Sequence, residues 1–224
     1  MSSKKLDYLE HVEIFKDLTS AEVEEVGHKT RMVAHSSGYL FYMPDDPGEV
    51  LFVLKEGRVQ LYRMSPDGRK FVVAILNPGA IFGQMALIGQ RLHQTFAEAL
   101  DDCVLCVMDR HEVERLLLEK PDVALRFLDS MGRRLTELEE RLGDTAFKRI
   151  PARLAGLLLR LNDETDEDNI VKGYTHQYLA DMLGTYRETT TQTLNDFQNR
   201  NLIRLGRKHI EILDEVGLNE VATV

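Results

Sequence analysis

A glycine at position 184 splits the stretch Thr175–Asn201, THQYLADMLGTYRETTTQTLNDFQNRN, into two short amphipathic segments. Helices this short are marginal alone, so the pair must belong to a packed domain. Thr175 suits a helix N-cap, and Leu179, Ala180, Met182 and Leu183 give the first segment an apolar face. Gly184 can take the positive φ that ends a helix. Thr185 and Glu188 have capping-box spacing, which predicts the start of a second helix. There Thr190, Thr193, Leu194 and Phe197 share one face, while Arg187, Glu188, Thr191 and Gln192 share the opposite one. A stripe of Arg, Glu, Thr and Gln near a helix N-terminus carries the groups that read base edges in a major groove. The alternative is an ordinary helical hairpin with a solvated polar face.

The charge of the chain is unevenly placed. The net charge is −9, yet residues 175–210 hold five basic side chains (Arg187, Arg200, Arg204, Arg207, Lys208) against three acids. A modest basic face on an acidic protein makes non-specific DNA affinity weak and salt-dependent, so specific binding is expected to pair two such faces. No run approaches the ~20 apolar residues of a membrane span. The N-terminal MSSKKLDYLEHVEIF lacks a signal core, and two cysteines argue against a disulfide scaffold. A cytoplasmic protein without membrane contact is expected.

Three textures follow along the chain. Residues 1–25 read as helical, with a second short helix after Thr19. Between Met32 and Met108, β-rich runs such as LFVLKEGRVQLYRM and FVVAIL are punctuated by turn signals, Pro66-Asp67-Gly68 among them. This predicts an antiparallel sandwich or barrel. From Pro121 a helix runs without a strong breaker to Gly143. Leu128, Met131, Leu135, Leu138 and Leu142 repeat at spacings of three and four, which is a coiled-coil seam with charged flanks, Arg141 among them. A parallel dimer is expected; the alternative is a helix packed on its own sheet. RIPARLAGLLLRLN, residues 149–162, reads as another amphipathic helix, and the acidic run Asp163–Asp168 as a solvated loop rather than a metal site. Residues 202–205 and 209–213 read as a β-hairpin whose basic turn, Gly206-Arg207-Lys208, forms a wing able to touch phosphate.

A β-rich module, a dimer helix and a winged helix-turn-helix, in that order, resemble the cyclic-AMP receptor protein/FNR family of bacterial transcription regulators. The likeness covers nearly the whole chain and rests on Gly57-Arg58-Val59, Pro78-Gly79 with Phe82-Gly83, Arg187-Glu188-Thr189 and Asn201-Leu202-Ile203. It implies an α+β fold: an antiparallel β-roll of the cyclic-nucleotide-binding jelly-roll type over 1–120, a dimerisation helix and hinge over 121–147, and a winged helix-turn-helix over 148–224. It also implies that Arg187 and Glu188 contact bases, as guanidinium on guanine O6/N7 and carboxylate on cytosine N4. Gln192 stands where the receptor protein has a second base-reading arginine, and glutamine prefers adenine. Thr175, His176, Thr189 and Thr191 are candidate phosphate or sugar contacts. The partners implied are a pseudo-palindromic duplex with TGTGA-like half-sites, a second copy of the chain, and RNA polymerase.

The family's phosphate-binding cassette maps onto Phe82–Gly89 through Gln94-Thr95. Cyclic-nucleotide binders carry a glutamate after Gly83 and an arginine before the Ser/Thr, whereas this chain has Gln84 and Gln94. A neutral amide cannot balance a buried phosphodiester as a guanidinium does, and Arg91 lies three residues away. The dimer-helix positions that touch adenine in the receptor protein are Leu138 and Glu139. The expectation is a regulator that does not depend on cyclic AMP, being effector-independent or tuned to another effector. The alternative is a sensor binding a cyclic nucleotide or haem in the roll, with His93 or His35 as haem ligand. Cys103 and Cys106 fall on opposite faces of a strand, which makes joint chelation awkward. No nucleophile motif, paired carboxylates or glycine-rich phosphate loop suggests an enzyme, and no cofactor or metal is expected.

Overall fold

A computed structural model of the chain describes residues 8, 9, 12–47, 50–83, 94–163, 169–207 and 209–223. These residues form two compact units, and the division falls inside one long helix, between Leu135 and Thr136.

The first unit opens with a 3-10 turn at Glu13–Phe15 and helix α1 (Ser20–Lys29). Helix α1 starts where the sequence places it, because Thr19 and Glu22 form a reciprocal capping box. Eight strands follow: β1 (Arg31–His35), β2 (Leu40–Tyr42), β3 (Val50–Glu56), β4 (Val59–Met64), β5 (Lys70–Leu76), β6 (Ile81–Phe82), β7 (Phe96–Ala99) and β8 (Cys103–Asp109). They make two four-stranded sheets, ordered β1-β8-β3-β6 and β2-β7-β4-β5. Phe52, Leu54, Phe82, Cys103 and Leu105 from the first sheet meet Tyr42, Val59, Leu61, Leu76, Ala97 and Ala99 from the second in the interior of a roll. The other face of the first sheet, with Leu51, Val53, Ile81, Cys106 and Met108, is covered by Val12, Phe15, Val23 and Val26 and by Val113, Val123 and Phe127. A strand buried on both faces loses its alternation, so β3 reads as the continuous apolar run VLFVL. Helix α2 (Arg110–Glu119) begins at the Asp109 cap, and α3 (Pro121–Phe147) follows at once.

The β4–β5 turn is the one read from Pro66-Asp67-Gly68. Gly68 has φ 82°, and the Ser65 amide donates to the Arg69 carbonyl at 2.9 Å. The hairpin tip, Met64–Val72, clusters with the second unit rather than the first.

The second unit also holds the end of α3, then α4 (Ile150–Asp163), β9 (Ile170–Lys172), α5 (His176–Leu183), α6 (Arg187–Asn199), β10 (Ile203–Gly206), β11 (His209–Ile212) and α7 (Glu215–Ala222). Leu154, Leu158 and Leu161 of α4 are fully buried, as are Leu179 of α5 and Leu194 and Phe197 of α6. The wing is a three-stranded antiparallel sheet, β10-β11-β9. Its third strand, Ile170-Val171-Lys172, has only one buried residue and carries no legible strand pattern in the sequence. Of the acidic run, 164–168 lie outside the described residues.

Candidate nucleic-acid interface

Helices α5 and α6 are joined by a tight turn held by backbone and cap hydrogen bonds. The Thr175 hydroxyl accepts the Tyr178 amide at 3.1 Å, capping α5 as read. At the other end Gly184 takes φ 65°, and its neighbour Thr185 donates its amide to the Ala180 carbonyl at 3.0 Å. One expectation fails here. The residue capping α6 is Tyr186, without a side-chain cap bond, so Thr185 and Glu188 do not form a capping box. The reason is the glycine turn: by using the Thr185 amide to close α5, it delays the entry into α6 by one residue.

The faces of α6 divide as the spacing predicts. Thr190, Thr193, Leu194 and Phe197 are buried, while Arg187, Glu188 and Gln192 are exposed. Two buried threonines on a helix are affordable because each donates its hydroxyl to the carbonyl four residues back, Thr190 to Tyr186 at 3.3 Å and Thr193 to Thr189 at 2.9 Å. Thr189 and Thr191 are half-buried at the edge of the exposed face. His176 Nδ1 lies 3.0 Å from Thr191 Oγ1, so these two candidate backbone contacts are coupled to one another across the helix pair. On the wing Arg204 is neutralised by Glu211 at 2.7 Å, and Arg200 lies 3.7 Å from Asp196. Among the described residues, the unpaired positive charge of this face is therefore smaller than the sequence count and lies on Arg187 and Arg207. Lys208 lies outside the described residues.

In the roll, Gly83 is glycine for a steric reason. With φ 81°, a Cβ there would sit 2.5 Å from the Val50 carbonyl oxygen and 3.0 Å from the Phe52 ring. Gln84 and Arg91, with the haem candidate His93, lie outside the described residues. Gln94 is exposed, and Thr95 is half-buried and hydrogen-bonded to the Tyr42 hydroxyl. Burial pushes that phenol up to about 12, against the opposing charge of Arg134. Leu138 and Glu139 are both exposed on α3.

Leu128, Leu135, Leu138 and Leu142 stand 64%, 58%, 39% and 70% exposed, a leucine stripe along α3. Met131 differs: it packs partly against the core under the first sheet. Arg141 also departs from its expected place as a solvated flank. Its guanidinium reaches the Val72 carbonyl at 3.0 Å and the Met182 carbonyl at 3.5 Å. Cys103 belongs to the roll interior and Cys106 to the opposite cluster, so their thiols point apart as strand geometry requires. Burial raises the Cys103 thiol, which donates to the Asp101 carbonyl at 3.2 Å. His35 stacks on Tyr39 at 3.7 Å. Among the described residues no three His, Cys, Asp or Glu side chains gather as a metal site, and no helix is long and apolar enough to cross a membrane.

A helix pair with an exposed polar face, closed by a three-stranded wing and joined by a long helix to a β-roll, is the architecture of a DNA-binding regulator. Residues 33–120 match the cyclic nucleotide-binding domain family, and residues 152–221 match the Crp-like helix-turn-helix domain family. The chain is 31% identical over 199 residues to the transcriptional regulator SdrP of Thermus thermophilus, covering 85% of this chain and 93% of that one. It is 26% identical over 210 residues to a CRP-like cAMP-activated global transcriptional regulator of Mycobacterium tuberculosis, covering 92% and 94%. A solved CRP/FNR-family regulator from Thermus thermophilus superposes with TM-score 0.70 at 28% identity, covering 87% of this chain and 99% of that one. The protein belongs to the CRP/FNR family of DNA-binding transcription regulators, a family of regulators rather than enzymes.

Proposed function

We propose that the protein works in the cytoplasm as a homodimer that reads a pseudo-palindromic operator without requiring cyclic AMP, and that it acts at promoters together with RNA polymerase. The observation that carries this reading is the division of α6. Its buried face is satisfied by apolar contacts and back-bonded threonines, which leaves Arg187, Glu188 and Gln192 free to face a groove. Arg187 donates bidentately to guanine, Glu188 accepts from cytosine, and Gln192 shifts the base it faces toward adenine. Thr175, His176, Thr189 and Thr191, with Lys208, supply phosphate and sugar contacts. The exposed leucines of α3 supply the dimer seam, and two-fold symmetry then sets half-sites about one helical turn, ~34 Å, apart.

Independence from cyclic AMP is supported by the neutral, exposed Gln94 where a phosphate-pairing arginine is expected, and by Leu138 and Glu139 at the adenine positions. A second reading, cyclic-nucleotide sensing, is favoured by the family match over residues 33–120 and by the cAMP-activated Mycobacterium tuberculosis relative. Arg134, whose charge acts on Tyr42 beside Thr95, is among the described residues a cation that such a ligand could meet. The test is a selection of bound duplexes from a random pool, run with and without cyclic AMP. Recovery of the same palindrome with equal affinity in both arms supports the first reading. Enrichment only in the presence of cyclic AMP establishes the second.

A further inference from the structure

The C-terminal end of α5 is completed by side chains from elsewhere in the second unit. The last carbonyls of a helix have no partner within it and need donors from outside. Ala180 and Asp181 receive theirs from the backbone amides of Thr185 and Gly184. Met182 receives the Arg141 guanidinium, from the last turns of α3, and Leu183 receives that of Arg153, from α4. Two cations at a helix C-terminus also complement its dipole. Arg141 is desolvated in this position, with Arg160 and Arg153 nearby, and its pKa is lowered accordingly.

Arg141 does not act on α5 alone. It also donates to the Val72 carbonyl at the base of the β4–β5 tip, and it lies over the Phe71 ring at 5.9 Å. That ring packs on the turn of the helix pair, since a Cβ at Gly184 would lie 3.0 Å from Phe71 Cδ2. Beside it, the Arg69 guanidinium sits 5.1 Å from the ring of Tyr186, the residue that caps α6. Three residues of one hairpin tip thus reach the end of α5, the turn and the start of α6. The reading face is left open by this arrangement, because Arg187, Glu188 and Gln192 remain exposed while the tip is seated.

We infer that Phe71 and Arg141 are positioning residues for DNA recognition: together they seat the β4–β5 tip on the α5–α6 turn and fix the angle at which α6 presents its reading face. The inference rests on α6 being the reading helix, and the control below separates the two claims.

The test uses the full-length protein, with the selected operator and a random-sequence duplex as probes, fluorescence anisotropy for affinity and thermal melting for folding. Phe71→Ala and Arg141→Gln are each expected to lower the operator-to-random affinity ratio about tenfold, with random-sequence affinity held within about twofold. Phe71→Tyr, which keeps the ring between Arg141 and Gly184, restores the ratio. The double variant loses about as much as the worse single, because both remove one shared contact. An unchanged ratio in both singles, or a raised one, overturns the inference. Should Phe71→Ala melt too low to assay, a double-mutant cycle of Arg69→Ala with Tyr186→Ala replaces it. The cation–π contact there is expected to give about two- to fivefold non-additivity on the operator, and additivity refutes a seated tip. Arg187→Ala runs in parallel. If it leaves the ratio intact while Phe71→Ala lowers it, the reading assignment of Arg187 fails and the positioning role stands.

Discussion

Truncating one leucine of the α3 stripe, Leu135→Ala, should weaken the dimer by an amount that follows from its exposure. Leu135 is 58% exposed in the protomer, so a little over half of its side chain is left for a partner to cover. Complete burial of a leucine side chain is worth about 1.5–3 kcal/mol, which makes the share reserved for dimerisation about 1–1.7 kcal/mol. Two-fold symmetry places the change on both helices, giving about 2–3.4 kcal/mol per dimer. At 1.4 kcal/mol per tenfold, the dimer dissociation constant should rise about 30- to 270-fold. Leu135→Glu should go further, because two carboxylates would then meet at the axis with their hydration removed. Sedimentation equilibrium across a micromolar concentration series reads both variants against the parent. A parent protein that is monomeric throughout the range, or a Leu135→Ala variant whose dissociation constant matches the parent, would refute the seam.

Three further outcomes are expected. Arg187→Ala should cost about 1–3 kcal/mol on the selected operator and little on random DNA, measured by titration at fixed salt; an equal loss on both would make Arg187 a phosphate contact. Calorimetry with cyclic AMP should show no binding in the low micromolar range, and a well-formed isotherm there would mean that Arg134 or Arg91 supplies the missing charge. Glu22 is held down to about 2, first by the Lys120 ammonium and then by its capping-box bonds to Thr19. A depressed folded-state value contributes stability above the ordinary 4.5 that is lost as pH falls through about 2. Glu22→Gln should therefore flatten the acid limb of the stability profile between those values, and a variant whose limb follows the parent would show that other carboxylates govern it.

The difference between what was legible and what was not lies in the range of the interactions concerned. Helix α6 was readable because its evidence is local: the offsets of Thr190, Thr193, Leu194 and Phe197 already define the buried face, and Gly184 already marks the turn. Cys103 and Cys106 were readable for the same reason, since strand periodicity alone sends them to opposite sides of β8. The same Thr-x-x-Glu spacing forms a capping box at Thr19 and Glu22 but none at Thr185 and Glu188, because the left-handed Gly184 commits the Thr185 amide to closing α5. A capping motif is conditional on what precedes it, and the three-residue spacing does not contain that information.

Arg141 marks the boundary most clearly. In the sequence it is one charge among several flanking a leucine stripe, indistinguishable from Arg133, which does serve as a surface ion-pair partner, of Asp129 and Glu13. In the folded chain it holds carbonyls 69 and 41 residues away and lies over the ring of Phe71, the neighbour of the first of them. The strand β9 and the charge neutralisation of Arg204 by Glu211 were likewise decided by partners brought close only by folding. The sequence by itself determined the elements whose stability depends on neighbours within a turn or two: the roll strands, the long helix with its leucine stripe, and the two faces of α6. Tertiary structure decided which cations are spent on carbonyls or carboxylates and which remain for DNA, because desolvation and hydrogen-bond geometry act through space and leave no periodic trace along the chain.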